Sequence, residues 1–233
     1  MSNAPEVKFL AALKMAAYGE SFVAWKDYFQ LGDSTARECF SKLMRELVLN
    51  PEISSEFLRS MTKHDARVIE QLHYDVHGVH GMLGSLDVNQ ILWGNCPHEQ
   101  KGQHCGRLGV PTLALQAAID YNLWIWHWCF GHPGTLNDSN VWERSSLLNA
   151  MTHGKMHEID FEFEINGETF SMLFWLVDLI YPQIARFLRS IPVPTTKIDR
   201  LFAAKQEGWR KNAKRGFGVL EKKFHCNVHP IQL

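Results

Sequence analysis

Apolar positions recur at helical spacing through residues 6–76, and the pattern changes abruptly after them. Val7, Leu10, Ala11, Leu13 and the run to Ala17 make one stripe, closed by Tyr18-Gly19. Ser21 is placed to cap a second helix through Phe29. Ser34, in a Gly32-Asp33-Ser34 turn, is placed to cap a third, where Phe40, Leu43, Met44 and Leu47 keep helical spacing. Asn50-Pro51 closes that helix, because a residue before proline is driven out of helical geometry. Thr62 starts a further helix through Val76. The short helix, turn and longer helix bearing Arg37, Lys42 and Arg45 admit two readings. One is a DNA-reading helix-turn-helix; the other, which the pattern favours, is a plain bundle packed on the next domain.

After His77-Gly78-Val79-His80-Gly81 the runs become strand-like. Met82 to Leu86, Leu113 to Ile119 and Leu123 to Phe130 predict a three-stranded meander, with Asp120-Tyr121-Asn122 as its second turn. Asn137-Asp138 caps a helix through about Met151. Asn166-Gly167, between Phe161–Ile165 and Thr169–Met172, is a strong hairpin signal. The second of these runs is expected to continue to Val177-Asp178. Residues 182–190 read as a helix, Ile191-Pro192-Val193-Pro194 as a stiff link, and residues 198–224 as a long helix broken near Gly216. The expected organisation is a helical region over 1–77 and an α/β domain over 78–233. A ribonuclease H-like mixed sheet flanked by helices fits this order. In such a sheet, acids at the ends of the first and fourth strands, Asp87 and Asp178, come together.

Composition is that of a globular chain with a real core: 233 residues, 45 % hydrophobic and 21 % charged. No signal peptide or membrane-length apolar run is apparent. Five cysteines at irregular spacing argue against a disulfide framework and for a reducing compartment. The net charge of −1 hides an asymmetry, since Lys197 to Lys223 holds nine basic and three acidic residues. That +6 segment suits a polyanion, although a solvated helix face accounts for it equally well.

Several chemical candidates are weak. Cys96, His98, His104 and Cys105, and Cys226 with His225 and His229, lack the tight paired spacing of a zinc site. His127, Cys129 and His132 read as packing. Trp124, Trp126 and Trp128 share one strand face, more suited to a core wall than to base stacking. There is no Gly-rich phosphate loop and no nucleophile elbow.

A series of short segments is more specific. Gly81-Met82-Leu83-Gly84-Ser85-Leu86-Asp87, Trp93-Gly94-Asn95-Cys96-Pro97, Lys101-Gly102-Gln103 and Leu123-Trp124-Ile125-Trp126-His127 come first. Gly134-Thr135-Leu136-Asn137-Asp138-Ser139-Asn140-Val141, Asp178-Leu179-Ile180-Tyr181-Pro182, Ser190-Ile191-Pro192 and Phe217-Gly218-Val219-Leu220 follow. In this order they resemble the PIF/Harbinger transposases, in particular the plant transposon protein group with its DDE endonuclease domain. The resemblance covers nearly the whole chain. It implies a first acid at Asp87, a second at Asp178 and a glutamate at position 214, with 35 residues between the last two. Asp138 is the alternative member, but topology favours Asp178, because a strand end is better fixed than a helix cap. Such an enzyme hydrolyses DNA with two Mg2+ or Mn2+ ions clamping the attacking and leaving oxygens, and hard carboxylate ligands hold the metals. The resemblance also implies nuclear localisation and a separate Myb-like DNA-binding partner. Arg210, Lys211, Arg215, Lys222 and Lys223 are the expected phosphate contacts.

Departures from the family matter most. Position 214 holds Lys214, which cannot ligate a metal while protonated and is expected to occupy the cation's place by pairing with the aspartates. Glu207 and Glu221 share its helix face but lie about 10.5 Å away along the axis. Gln90 replaces a frequent histidine, Leu179 a frequent glycine, and the chain stops soon after Phe224, where relatives usually continue. The expectation is a transposase-derived protein with a degenerate nuclease site. Its rival is a catalytically inactive protein kept for binding DNA or another protein.

Overall fold

The computed structural model describes residues 4–19, 21–152 and 155–225. Helix α1 (Pro5–Tyr18) starts with proline in its first turn, where the missing N–H costs nothing, and ends at Gly19 in the left-handed region (φ 66°). A 3-10 turn (Phe22–Trp25) leads into the short α2 (Lys26–Phe29), then α3 (Asp33–Leu49) and α4 (Pro51–Phe57). Ala11, Ala12, Met15 and Ala16 of α1 pack on Ala36 and Phe40 of α3, with Phe22 and Leu31 closing this core. Two expected caps differ. Ser21 makes no side-chain cap bond, and α3 begins two residues early, at Asp33 behind an extended Gly32. Asn50 both ends α3 and caps α4, accepting from the Glu52 amide.

Helix α5 (Lys63–His77) opens on a full capping box between Thr62 and Asp65. Arg59, followed by Thr62, holds the Asp65 carboxyl well below the usual range. The order continues β1 (Met82–Leu92), α6 (Lys101–His104), β2 (Thr112–Ile119), β3 (Ile125–Pro133), α7 (Asp138–Glu143) and α8 (Ser146–Thr152). The chain ends with β4 (Phe163–Ile165), β5 (Glu168–Phe170), β6 (Phe174–Leu176), β7 (Phe187–Leu188) and α9 (Lys197–Lys223). The main sheet has the order β3-β2-β1-β6-β7. β1, β2 and β3 form the expected antiparallel meander, and β6 and β7 add parallel to β1. On one face, Leu83, Leu86, Ala118, Trp142, Trp175, Val177 and Tyr181 form the main core. On the other, Leu115, Ala117 and Ile119 meet Ala213 and Phe217 of α9. Gly84 stands at a bulge with φ 141°, where a Cβ would come within 2.3 Å of the Ile119 carbonyl oxygen.

The structure departs from the sequence reading at further elements. The helix expected from Asn137-Asp138 through about Met151 is two helices, α7 and α8, parted at Arg144-Ser145. β1 runs six residues past Leu86, so Asp87 lies inside the strand rather than at its end. The run from Thr169 to Val177 is divided: β5 pairs with β4 in a separate hairpin, and β6 joins the main sheet. Residues 182–190 form no helix and instead supply the two-residue β7, whose Phe187 fills the main core. Helix α9 is continuous through Gly216, because that glycine serves close packing: a Cβ there would sit 2.8 Å from Ile119 Cδ1.

Candidate functional site

The parallel register of β1 and β6 places the two aspartates. Ser85 lies opposite Leu176, and the acids follow two residues after each, Asp87 within β1 and Asp178 just past the end of β6. β6 stops at Leu176 while β1 continues with β2 as its partner, so Asp87 and Asp178 share the notch left at the end of β6. Asp87 is buried, whereas the Asp178 side chain is 44 % exposed and accepts the Leu179 amide at 2.7 Å.

Helix α9 crosses this notch and is fastened on both sides of it. The Gln206 amide donates to the carbonyls of Val177 (3.0 Å) and Leu188 (2.9 Å), and the Asn89 amide donates to the Glu221 carboxylate at 2.8 Å. Between these ties, Arg210 Nη1 lies 3.7 Å from Asp87 Oδ1 and 3.7 Å from Asp178 Oδ2. Arg210, singled out in the sequence as a phosphate contact, therefore turns into the site. It takes the bridging position expected of Lys214. Lys214 is exposed one turn further on, and its charge still acts on Asp87. Burial raises the Asp87 carboxyl above the ordinary range, with Arg210, the Val88 amide and Lys214 opposing in that order.

Asp138 is the first residue of α7. The cap itself is Asn137, which accepts from the Asn140 amide at 2.8 Å. Freed from the capping role expected of it, Asp138 feels both other acids: burial first, then the charges of Asp87 and Asp178, push it up to about 6 against Arg107 and Arg210. Below it, the Tyr181 hydroxyl is buried, and burial and the Asp138 charge drive its pKa upward. Gln116 Nε2 is 3.5 Å from that hydroxyl, and its Oε1 has no hydrogen-bond partner. Arg107, Gln116 and Tyr181 had no role in the sequence reading. Only Tyr181 sat in a recognisable motif.

The donor set as arranged does not fit a divalent metal. Mg2+ and Mn2+ need several hard oxygens converging on one point. Here a guanidinium nitrogen stands between two of the carboxylates. Among the described residues no group of three or more His, Cys, Asp or Glu side chains is arranged to hold a metal ion. The zinc candidates Cys96, His98, His104 and Cys105 fall under the same finding, and Cys226 and His229 lie outside the described residues. Of the departures from the family, Gln90 accepts the Thr112 hydroxyl at 2.8 Å, and Leu179 is exposed.

The other basic residues named as phosphate contacts are all exposed on α9. Lys211, Arg215 and Lys222, spaced i, i+4 and i+11, share one exposed stripe, with Lys223 exposed beside it. Arg215 also donates to the carbonyl of Tyr121, in the turn after β2, at 2.7 Å. No helix among the described residues is long and apolar enough to cross a membrane.

A mixed α/β domain with paired acids at a sheet notch and a basic helix across it is the architecture of this chain, and its affinities are with transposon proteins. Residues 55–233 match the plant transposon protein family, and the chain belongs to that family. No curated protein and no solved structure matches the chain.

Proposed function

We propose that this transposon-derived protein binds DNA and descends from DDE endonucleases whose strand cleavage it has lost. The observation that carries the reading is Arg210, which stands midway between the two acids that cleavage would require for metal. Lys214 strengthens it. A glutamate there would be one helical turn from Arg210 and would draw the guanidinium away from Asp87 and Asp178. The sheet order, with a three-stranded meander followed by two parallel strands, supports a ribonuclease H-like ancestry. The stripe of Lys211, Arg215 and Lys222, with Lys223, supplies phosphate contacts that hold DNA without reading its sequence. Sequence reading falls to a Myb-like partner, and the setting is the nucleus.

Three assays on the full chain test this. Duplex binding should weaken steeply with salt, as counterion release requires. Mn2+ calorimetry should give no heat for the native chain, and Lys214→Glu should gain a site that Asp87→Ala removes. Supercoiled plasmid should stay intact in Mn2+. Nicking by the native chain that disappears in Asp87→Ala would restore the enzyme reading.

A further inference from the structure

The helical region holds a second arrangement that the transposon reading leaves unused. Lys14 Nζ lies 3.9 Å from the ring centroid of Trp25, 5.2 Å from that of Tyr18 and 5.6 Å from that of Tyr28. An ammonium within about 6 Å of a ring centroid is attracted by the ring quadrupole, so three rings here converge on one cation. Each ring comes from a different element: Tyr18 ends α1, Trp25 ends the 3-10 turn and Tyr28 lies in α2. Tyr18 and Trp25 are tilted by 51° at 5.6 Å, so they form two walls rather than a stack. The third wall is anchored through Phe29, which meets Tyr28 edge-on at 4.9 Å and stacks on the core residue Phe22 at 6.1 Å. Tyr18 and Tyr28 are 51 % and 77 % exposed, which leaves the cage open to solvent.

We propose that Tyr18, Trp25 and Tyr28 form a binding cage for a quaternary ammonium group, and that Lys14 is its internal plug. The chemistry favours a methylated cation over the lysine that now fills it. A primary ammonium is strongly hydrated and loses that hydration against rings, whereas a trimethylammonium carries its charge on an apolar surface. Arriving ligand must displace a tethered lysine that is present at high effective concentration, so the native affinity is held down. Two sources carry this group, a trimethylated lysine on a partner protein and a choline headgroup.

Tetramethylammonium is the probe, read by the indole N–H resonance of Trp25 in the full chain, assigned from its loss in Trp25→Phe. Lys14→Met, which keeps an apolar stem under the rings, should bind about tenfold more tightly than the native chain. Tyr18→Ala in that background should abolish the shift. Circular dichroism checks that each variant keeps its helices, and Lys14→Gln serves should Lys14→Met lose them. A trimethyllysine peptide and phosphocholine, titrated separately, assign the source by which of them binds more tightly. The proposal is overturned by a folded Lys14 variant that shows no saturable shift, or one that responds equally to ammonium chloride.

Discussion

Arg210 and Asp87 meet across the sheet notch at 3.7 Å, beyond hydrogen-bond length, and Asp178 stands at the same distance from the same nitrogen. The contact is therefore one of charge, set by where α9 lies, and its loss would leave a buried carboxylate without its nearest cation. Arg210→Leu should cost about 2 kcal/mol in urea unfolding. Lys214→Leu, at an exposed position, should cost under about 0.5 kcal/mol. Adding Asp87→Asn to Arg210→Leu should recover part of the loss. Equal costs for the two cations would show that Arg210 does not carry the pair.

Asp138 gives the acid cluster a distinctive pH response. Its folded pKa, about 6, lies above the ordinary 3.8, so between those values the folded chain holds more protons than the unfolded one. Its contribution is full below about pH 4 and is lost as pH rises to 6. Asp138→Asn should raise stability at pH 7 by about 1 kcal/mol, discounted for partial exposure, and leave it unchanged at pH 3.5. Thermal melts across that window read the difference.

His73 works in the opposite direction. Burial, then the neighbouring His77, lowers it to about 4, so it stays neutral in the fold where an unfolded histidine would charge near 6.5. Its share of stability is present above pH 6.5 and lost as pH falls towards 4. His73→Phe should weaken the acid sensitivity in this range by about 2 kcal/mol. An unaltered pH profile in the variant would count against it.

Two glycines should separate backbone strain from side-chain crowding. Gly84→Ala drives a Cβ against the Ile119 carbonyl at a φ that other residues rarely adopt, and should cost about 3 kcal/mol or more. Gly216→Ala meets only side-chain atoms, Cδ1 and Cγ2 of Ile119. Gain in helix propensity should offset much of that clash, for a net change within about 1 kcal/mol. Chemical denaturation of both variants, with Ile119→Val as relief for the second, distinguishes the two mechanisms.

Local chemistry made some of this architecture legible. The helix start at Thr62 and the hairpin at Asn166-Gly167 were readable because their signals are local. Both central turn residues of the hairpin have positive φ, 53° and 84°. The element at 182–190 was not readable, since β7 is only two residues long and exists because Phe187 finds a place beside Trp142 and Tyr181. Gly216 looked like a break because its value lies in Ile119, nearly a hundred residues away in the chain. At the site, the family resemblance pointed to Asp87, Asp178 and Asp138. It could not show which cation of α9 faces them, because Arg210 and Lys214 lie one turn apart and only the tilt of the helix across the sheet decides.

The ties of α9 to Val177, Leu188, Asn89 and the two aspartates also set a timetable for synthesis. All of them join the last described helix to segments made before it. Until α9 has left the ribosome and docked, no guanidinium stands between the two aspartates. The nascent sheet would then pass through a brief period with two uncompensated acids and an uncovered apolar face at Leu115, Ala117 and Ile119, the state in which this chain is most exposed to aggregation or chaperone capture.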